Sequence, residues 1–179
     1  MDGGSADGRA VVRPATRADL EGYRRCIGRV AAERRWLVFV DTPPPDAIHQ
    51  HVGGMIDRLL PVFVATDAAG GIVGWCDIHV PPFNPVREGF DHVGVLGMGL
   101  DAAWRGQGLG GRLMAAALAA AEALRIERVE LEVFATNTRA RQLYERHGFV
   151  VEGVRRRARK LDGRHEDVII MGRLAPDPV

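Results

Sequence analysis

The sequence is poor in cysteine and in long apolar runs. Its 179 residues contain only Cys26 and Cys76, too few for a disulfide framework. No apolar run approaches the ~20 residues that a membrane-spanning helix needs, and no charged segment followed by an apolar run opens the chain. We therefore expect a cytoplasmic protein that has no membrane partner and does not depend on disulfides.

An excess of charge of one sign is missing as well. The 24 lysines and arginines nearly cancel the 23 acidic residues, so no chain-wide field favours a nucleic-acid partner. Any anion site must then be local. The length and the 46% share of hydrophobic residues suit one domain with a sizeable core. We expect residues 1–9, which are small and polar, to form a flexible leader, and residues 10–175 to form the domain.

The hydrophobic patterns predict an α/β domain with a mixed sheet. Alternating or short apolar runs predict strands near residues 10–15, 62–66, 71–80, 93–100 and 128–135, and a final pair of strands around a turn at Asp162 and Gly163. Helical spacing predicts helices near residues 16–33, 43–60, 107–124 and 137–148. No internal repeat interrupts this order, which supports one domain.

A cluster of glycines stands where the third helix should begin. Four glycines lie between Arg105 and Arg112. The amino end of a helix exposes unpaired NH groups and the positive end of the helix dipole, and glycines let a phosphate approach those groups closely. The cluster therefore predicts a loop that binds a pyrophosphate.

Several interpretations of this loop compete. A Walker loop is disfavoured because no Gly-Lys-Ser/Thr follows. Gly106, Gly108 and Gly111 match G-x-G-x-x-G, and Glu127 or Glu130 lies near the position of a ribose-binding acid, so a dinucleotide site stays open. In the dinucleotide-binding fold, however, the glycine-rich turn directly follows the first strand, whereas here about half of the chain precedes the glycines. A glycine-rich helix start that serves only close packing is the remaining structural interpretation.

A third phosphate-binding pattern fits the loop and its neighbours together. Arg105-x-x-Gly108-x-Gly110 resembles the acyl-CoA-binding signature of the GCN5-related N-acetyltransferase (GNAT) family, and the resemblance extends from about Val11 to Leu174. It implies a mixed, mostly antiparallel sheet flanked by helices, with central strands that splay apart and admit the pantetheine arm of acetyl-CoA. The cofactor-binding residues that the resemblance implies are Met98, Gly99, Leu100, Arg105, Gly106, Gln107, Gly108, Leu109, Gly110, Gly111, Arg112 and Asn137.

Two side chains are candidates for acid–base chemistry. An alkyl ammonium has a pKa near ~10, so a base must remove a proton before the amine attacks. Glu132 occupies the position of the base proposed for ribosomal-protein acetyltransferases of the family, although its alternation with apolar residues also suits a half-exposed strand. Tyr144 stands seven residues after Asn137, where the family has the tyrosine that protonates the leaving thiolate. Its other interpretation is simple packing on a helix face.

Other residues with reactive side chains have weaker claims. His79 and His92 are alternative bases beside the expected cleft, but a lone histidine is more often structural. Cys76 could carry the acyl group in a ping-pong route, yet no activating partner adjoins it, so direct transfer in a ternary complex is preferred. His49 and His51 point apart on a helix, and we predict no metal site.

The sequence leaves the acceptor open. In the family, the acceptor site is built from the first two helices, the loop between them and the final hairpin. A small amine, an amino acid and a peptide amino terminus all remain possible, although the basic run from Arg155 to Lys160 would repel a polycation if it faced the pocket. We expect a monomer or homodimer. The rival functions are a noncatalytic acyl-CoA sensor and a nicotinamide-dependent oxidoreductase.

Overall fold

The computed structural model describes residues 10–80 and 89–176, so the predicted leader lies outside the described residues. Seven strands form one sheet in the order β1-β2-β3-β4-β5-β7-β6. All neighbouring pairs are antiparallel except β4 and β5, which are parallel. The strands are β1 (Val11–Pro14), β2 (Val62–Thr66), β3 (Ile72–His79), β4 (Val93–Leu100), β5 (Arg128–Phe134), β6 (Val150–Leu161) and β7 (Arg164–Leu174). The predicted mixed, mostly antiparallel sheet is confirmed.

Helices pack on both faces of the sheet. They are α1 (Leu20–Ala31), α2 (Pro45–Ile48), a π-helical turn (His49–Gly53), α3 (Gly54–Asp57), α4 (Leu109–Ala123) and α5 (Thr138–Arg146). The second predicted helix therefore consists of three short segments. The three segments follow one another without a gap, and the backbone stays right-handed helical at Gly53 and Gly54, where the π-helical turn passes into α3. No helix in the described ranges is long and apolar enough to span a bilayer.

The two faces of β3 serve two separate cores. Cys76 and Ile78 are fully buried in the core that α4 covers, whereas Trp75 belongs to the core formed with α1 and α2. Because side chains alternate along a strand, Asp77 and His79 share the face of Trp75. This alternation places two polar side chains beneath α1.

The central strands part along their length. β4 and β5 pair at only three positions, Val93 with Arg128, Gly94 with Val129 and Val95 with Glu130. Beyond these pairs β4 stays on β3 as far as Leu100, and β5 stays on β7 as far as Phe134. A wedge therefore opens in the sheet, which confirms the splayed central strands that the family resemblance implies.

Candidate active site

A cavity of about 1180 Å³ occupies this wedge and continues beneath α1 and the segment after it. We call its two parts the cofactor arm and the acceptor arm. The cofactor arm is lined by the end of β4, the glycine loop and α5, through Met98, Gly99, Leu100, Arg105, Gly106, Gly108, Gly110, Gly111, Asn137, Arg139, Leu143, Tyr144 and Arg146. The acceptor arm is lined by α1, the 36–51 segment and β3, through Tyr23, Trp36, Leu37, Val38, Phe39, Pro43, Pro44, Ala47, Ile48, His51, Trp75, Asp77 and His79.

The glycine loop presents main chain to the cavity. Gly106 and Gly108 have φ values of 83° and 78°, which L residues with side chains rarely adopt. Gly108 precedes α4, and neither a capping side chain nor an acidic residue stands at that helix start. The first NH groups of α4 are therefore not capped by a side chain, and no acidic residue of its first turn competes for the positive end of its dipole.

Arg105 is already engaged in the structure. Its Nε donates to the Leu100 carbonyl at 2.9 Å, and its Nη1 donates to a Glu33 carboxylate oxygen at 2.8 Å. Glu33 follows α1, so this ion pair joins the glycine loop to the connection that leads into the acceptor arm. A cofactor phosphate would have to share the guanidinium with Glu33, and the role of Arg105 in cofactor binding stays a prediction.

Sequence reasoning missed two arginines that line the cavity. Arg139 and Arg146 lie on α5 and line the cavity, and neither forms an ion pair with another residue that the structure describes. A Cβ placed on Gly106 would lie 2.3 Å from Arg139 Nη2, so this guanidinium rests against the loop. The position of Arg139 two residues after the helix start at Asn137 is the signal that could have identified it.

Three predicted cofactor residues do not line the cavity. Leu109 is 3% exposed and packs in the core beneath α4. Gln107 turns its side-chain amide back to the Ala103 carbonyl at 2.8 Å. Arg112 lies one turn into α4 and also stays outside the lining. These residues could contact a cofactor only through their main-chain atoms, or where the cofactor extends out of the cavity.

The predicted polar residues of α5 face the cavity. Asn137 accepts a hydrogen bond from the Ala140 NH at 3.2 Å, and so caps α5 as its sequence position suggests. Tyr144 is buried, with its ring edge-on to Phe149 at 6.0 Å between centroids. Burial raises the pKa of Tyr144 and nearby Cys76 raises it further, so the hydroxyl keeps its proton at neutral pH.

Glu132 lines the cavity from β5, but its environment is not that of an isolated base. Its side chain is 51% exposed and forms an ion pair with Arg155 of β6. His92, the second reserve base, is absent from the cavity lining, whereas His79 contributes to it. The structure therefore brings Glu132, Tyr144 and His79 to one cavity.

The acceptor arm contains a polar cluster that sequence reasoning did not assemble. Asp77 accepts a hydrogen bond from the hydroxyl of Tyr23 at 2.5 Å, and burial together with this carboxylate raises the pKa of Tyr23. His79 Nδ1 lies 3.9 Å from Asp77 Oδ1 and has no hydrogen-bond partner among the described residues. The ring of His51 lies 5.1 Å from that of His79. The alternation in Trp75-Cys76-Asp77-Ile78-His79 was the available signal for Asp77.

Comparisons with known proteins agree with this geometry. The model of the acetyltransferase (GNAT) family matches residues 31–149, more than half of the chain. "Putative phosphinothricin acetyltransferase YwnH" of Bacillus subtilis (strain 168) is 29% identical over 90% of this chain and 97% of its own length. "L-amino acid N-acetyltransferase AaaT" of Escherichia coli (strain K12) is 31% identical over 59% of this chain and 63% of its own.

A solved structure has the same fold. The phosphinothricin acetyltransferase of Sinorhizobium meliloti in complex with acetyl-CoA aligns with a TM-score of 0.83 at 18% identity, covering 92% of this chain and 88% of that one. The family match confirms both the resemblance drawn from the glycine loop and the prediction of an acyltransferase. The chain belongs to the acetyltransferase (GNAT) family.

Proposed function

We propose that the protein transfers the acetyl group of acetyl-CoA directly to a primary amine while both are bound. One observation carries the proposal. The uncapped amino end of α4 and the hydroxyl-bearing Tyr144 open into the same cavity, at the point where β4 and β5 part. The presence of acetyl-CoA in a solved relative of the same fold supports it.

The residues of the cofactor arm fit an acyl-CoA. The NH groups at the start of α4 would hold the pyrophosphate, and Arg139 and Arg146 would supply positive charge beside it. Met98 to Leu100 lie beyond the last pair between β4 and β5, so the main chain on that edge is free to bind an extended pantetheine arm. Asn137 borders the same opening.

The transfer needs an acid for the leaving group. Acetyl-CoA supplies a thioester carbonyl, the amine nitrogen forms a bond to its carbon, and the carbon–sulfur bond breaks. Tyr144 donates its hydroxyl proton to the departing thiolate and regains a proton from the nitrogen, directly or through solvent. Tyr144 suits this role by position, because it lines the cavity where β4 and β5 part. Burial raises its pKa, so the hydroxyl hydrogen-bonds to the sulfur as negative charge develops and gives up its proton only as the nitrogen supplies another.

The ammonium must first lose a proton, and two bases are in reach of the cavity. Glu132 is the base that the family resemblance implies, but its carboxylate forms an ion pair with Arg155, so an amine would have to compete with that guanidinium for the carboxylate oxygens. His79 is the second candidate: its buried Nδ1 faces Asp77 Oδ1, so only Nε2 is left to accept a proton from the cavity. Glu132→Gln and His79→Gln distinguish them, because only loss of the base should lower kcat by about 100-fold.

The test of the proposal combines binding and turnover. Calorimetric titration with acetyl-CoA, CoA and NADH should show saturable binding of the first two only. Tyr144→Phe should then lower kcat by about 100-fold or more while leaving the acetyl-CoA Kd unchanged. Binding of acetyl-CoA without acetylation of any amine would favour the sensor, and binding of NADH alone would favour the oxidoreductase.

A further inference from the structure

Asp77 differs from the other acidic side chains that line the cavity. Glu130 pairs with Arg128 at 2.7 Å, and Glu132 pairs with Arg155. Asp77 has no lysine or arginine partner among the described residues, and its side chain is only 9% exposed. It is therefore the one cavity acid in the described part of the chain whose charge no guanidinium balances.

The hydrogen bonds of Asp77 leave one oxygen without a donor. Tyr23 donates to Oδ2, whereas Oδ1 faces His79 Nδ1 at 3.9 Å, beyond hydrogen-bond distance. Burying a carboxylate without a cation is costly, and the cost is recovered only when a charged donor completes the site. The cluster of Tyr23, Asp77 and His79 thus lacks a positively charged donor.

The walls around this cluster are apolar and aromatic. Trp36, Phe39, Ile48 and Trp75 line the acceptor arm, and no lysine or arginine of the described residues does so. The nearest arginine on the cofactor side, Arg105, is held by Glu33 and the Leu100 carbonyl. Arg35 lies over the Trp36 ring at 4.8 Å, but outside the cavity lining. The site therefore suits a cation attached to an apolar body, and no guanidinium among the described residues that line the acceptor arm is open to an acceptor carboxylate.

We propose that Asp77 binds the ammonium group of the acceptor, and that the acceptor is a primary amine on an apolar or aromatic body without a carboxylate. This inference rests on the proposed acetyl transfer. The ammonium donates one N–H to Asp77 Oδ1, and its apolar body packs against Trp75 and Trp36. An α-amino acid would place its carboxylate in the same arm as Asp77, where like charges repel.

Two amines that differ only by a carboxylate test the substrate class on the unaltered protein. With saturating acetyl-CoA, kcat/KM for 2-phenylethylamine should exceed that for L-phenylalanine by about tenfold or more. L-phenylalaninamide has an uncharged amide in place of the carboxylate, so its kcat/KM should lie nearer to that of 2-phenylethylamine than to that of L-phenylalanine. A higher kcat/KM for L-phenylalanine would overturn this inference and leave the acetyl transfer intact. Acetylation of other primary amines but of none of these three would also overturn this inference, whereas binding of acetyl-CoA without acetylation of any amine would contradict the acetyl transfer itself.

Asp77→Asn tests the anchor, because asparagine keeps an oxygen for Tyr23 but loses the charge. It should raise the KM for 2-phenylethylamine by about 10- to 100-fold, with a smaller change in kcat and no change in the acetyl-CoA Kd. Glu130→Gln is the matched control, since this cavity carboxylate is already paired, and its KM should stay within about twofold of the unaltered protein. Equal KM values for both variants would overturn the anchor. The comparison of the three amines needs no variant and so decides the substrate class even if Asp77→Asn folds poorly.

Discussion

The two arms of the cavity are built from different parts of the chain. The cofactor arm presents main chain, through the glycine loop, the start of α4 and the freed edge of β4. The acceptor arm presents side chains from α1, β3 and the segment between α1 and α2. Main-chain recognition depends on a short local pattern, whereas side-chain recognition depends on which distant residues the fold brings together. The first arm can therefore be common to many proteins while the second varies.

The largest effect on cofactor binding should come from adding a side chain to the cofactor arm. Gly108→Ala forces a Cβ onto a residue with φ of 78°, where nothing else lies within 4 Å. The added methyl group should obstruct a phosphate at the helix start and raise the acetyl-CoA Kd by about 10- to 100-fold, since two or more hydrogen bonds to charged oxygens are weakened. Calorimetric titration measures the change.

Gly70→Ala is the matched control for this variant. Gly70 lies in the turn between β2 and β3, has φ of 82° and likewise has nothing within 4 Å of an added Cβ. Both variants should therefore lose a similar stability of about 1 kcal/mol from backbone strain. Equal acetyl-CoA Kd values in the two variants would mean that the loop does not hold the cofactor.

The same contrast explains what the sequence could predict. The glycine cluster ahead of an apolar helix and the alternation of β5 are local patterns, and they supported the resemblance to the family, which in turn implied the mostly antiparallel sheet and its splayed strands. The cluster around Asp77 depends on Tyr23, which is 54 residues away in sequence and meets it only after α1 packs on β3. Ion pairs such as Glu132 with Arg155 depend equally on strand order. Cytoplasmic location and oligomeric state stay predictions.

Glu33→Gln should affect the two arms in opposite directions. The carboxylate binds Arg105 and also accepts from the indole NH of Trp36 at 2.5 Å. Its loss frees the guanidinium for a phosphate, which should lower the acetyl-CoA Kd, and loosens the acceptor arm, which should raise the amine KM. Each change should be about two- to fivefold, as for a partly exposed ion pair.

Glu21→Gln is the control for this variant, because Glu21 pairs with Arg24 and Arg25 on the outer side of α1 and does not line the cavity. It should leave both constants unchanged. If Glu33→Gln raises both the acetyl-CoA Kd and the amine KM, or lowers both, then the ion pair of Glu33 with Arg105 stabilises the whole cavity and does not have opposite effects on the two arms.

The acceptor arm should also respond to pH through His51. Partial burial lowers the pKa of His51, as does nearby His79, while Asp77 acts in the opposite direction. The unfolded chain therefore takes up this proton more readily, so stability should fall as pH drops below about 6.5. In His51→Gln the decrease in Tm between pH 7 and pH 5 should shrink by about 1–2 °C. His49→Gln, the same substitution two residues away and outside the cavity lining, is the control.

The smallest effect concerns the two cysteines, of which Cys76 follows Trp75 on β3 but is buried on the opposite face, outside the cavity lining. Burial raises the pKa of Cys76, and burial raises that of Cys26 to about 12, with Asp101 adding to the shift. Neither thiol should react with a disulfide reagent at pH 8 until the chain unfolds, when both should react. Mass spectrometry after incubation with acetyl-CoA alone should likewise find no acetyl group on the protein. An acetylated cysteine would mean that acetyl-CoA reacts with the protein before the amine does. The absence of an acetylated protein is the result expected for direct transfer, in which acetyl-CoA and the amine are bound at the same time.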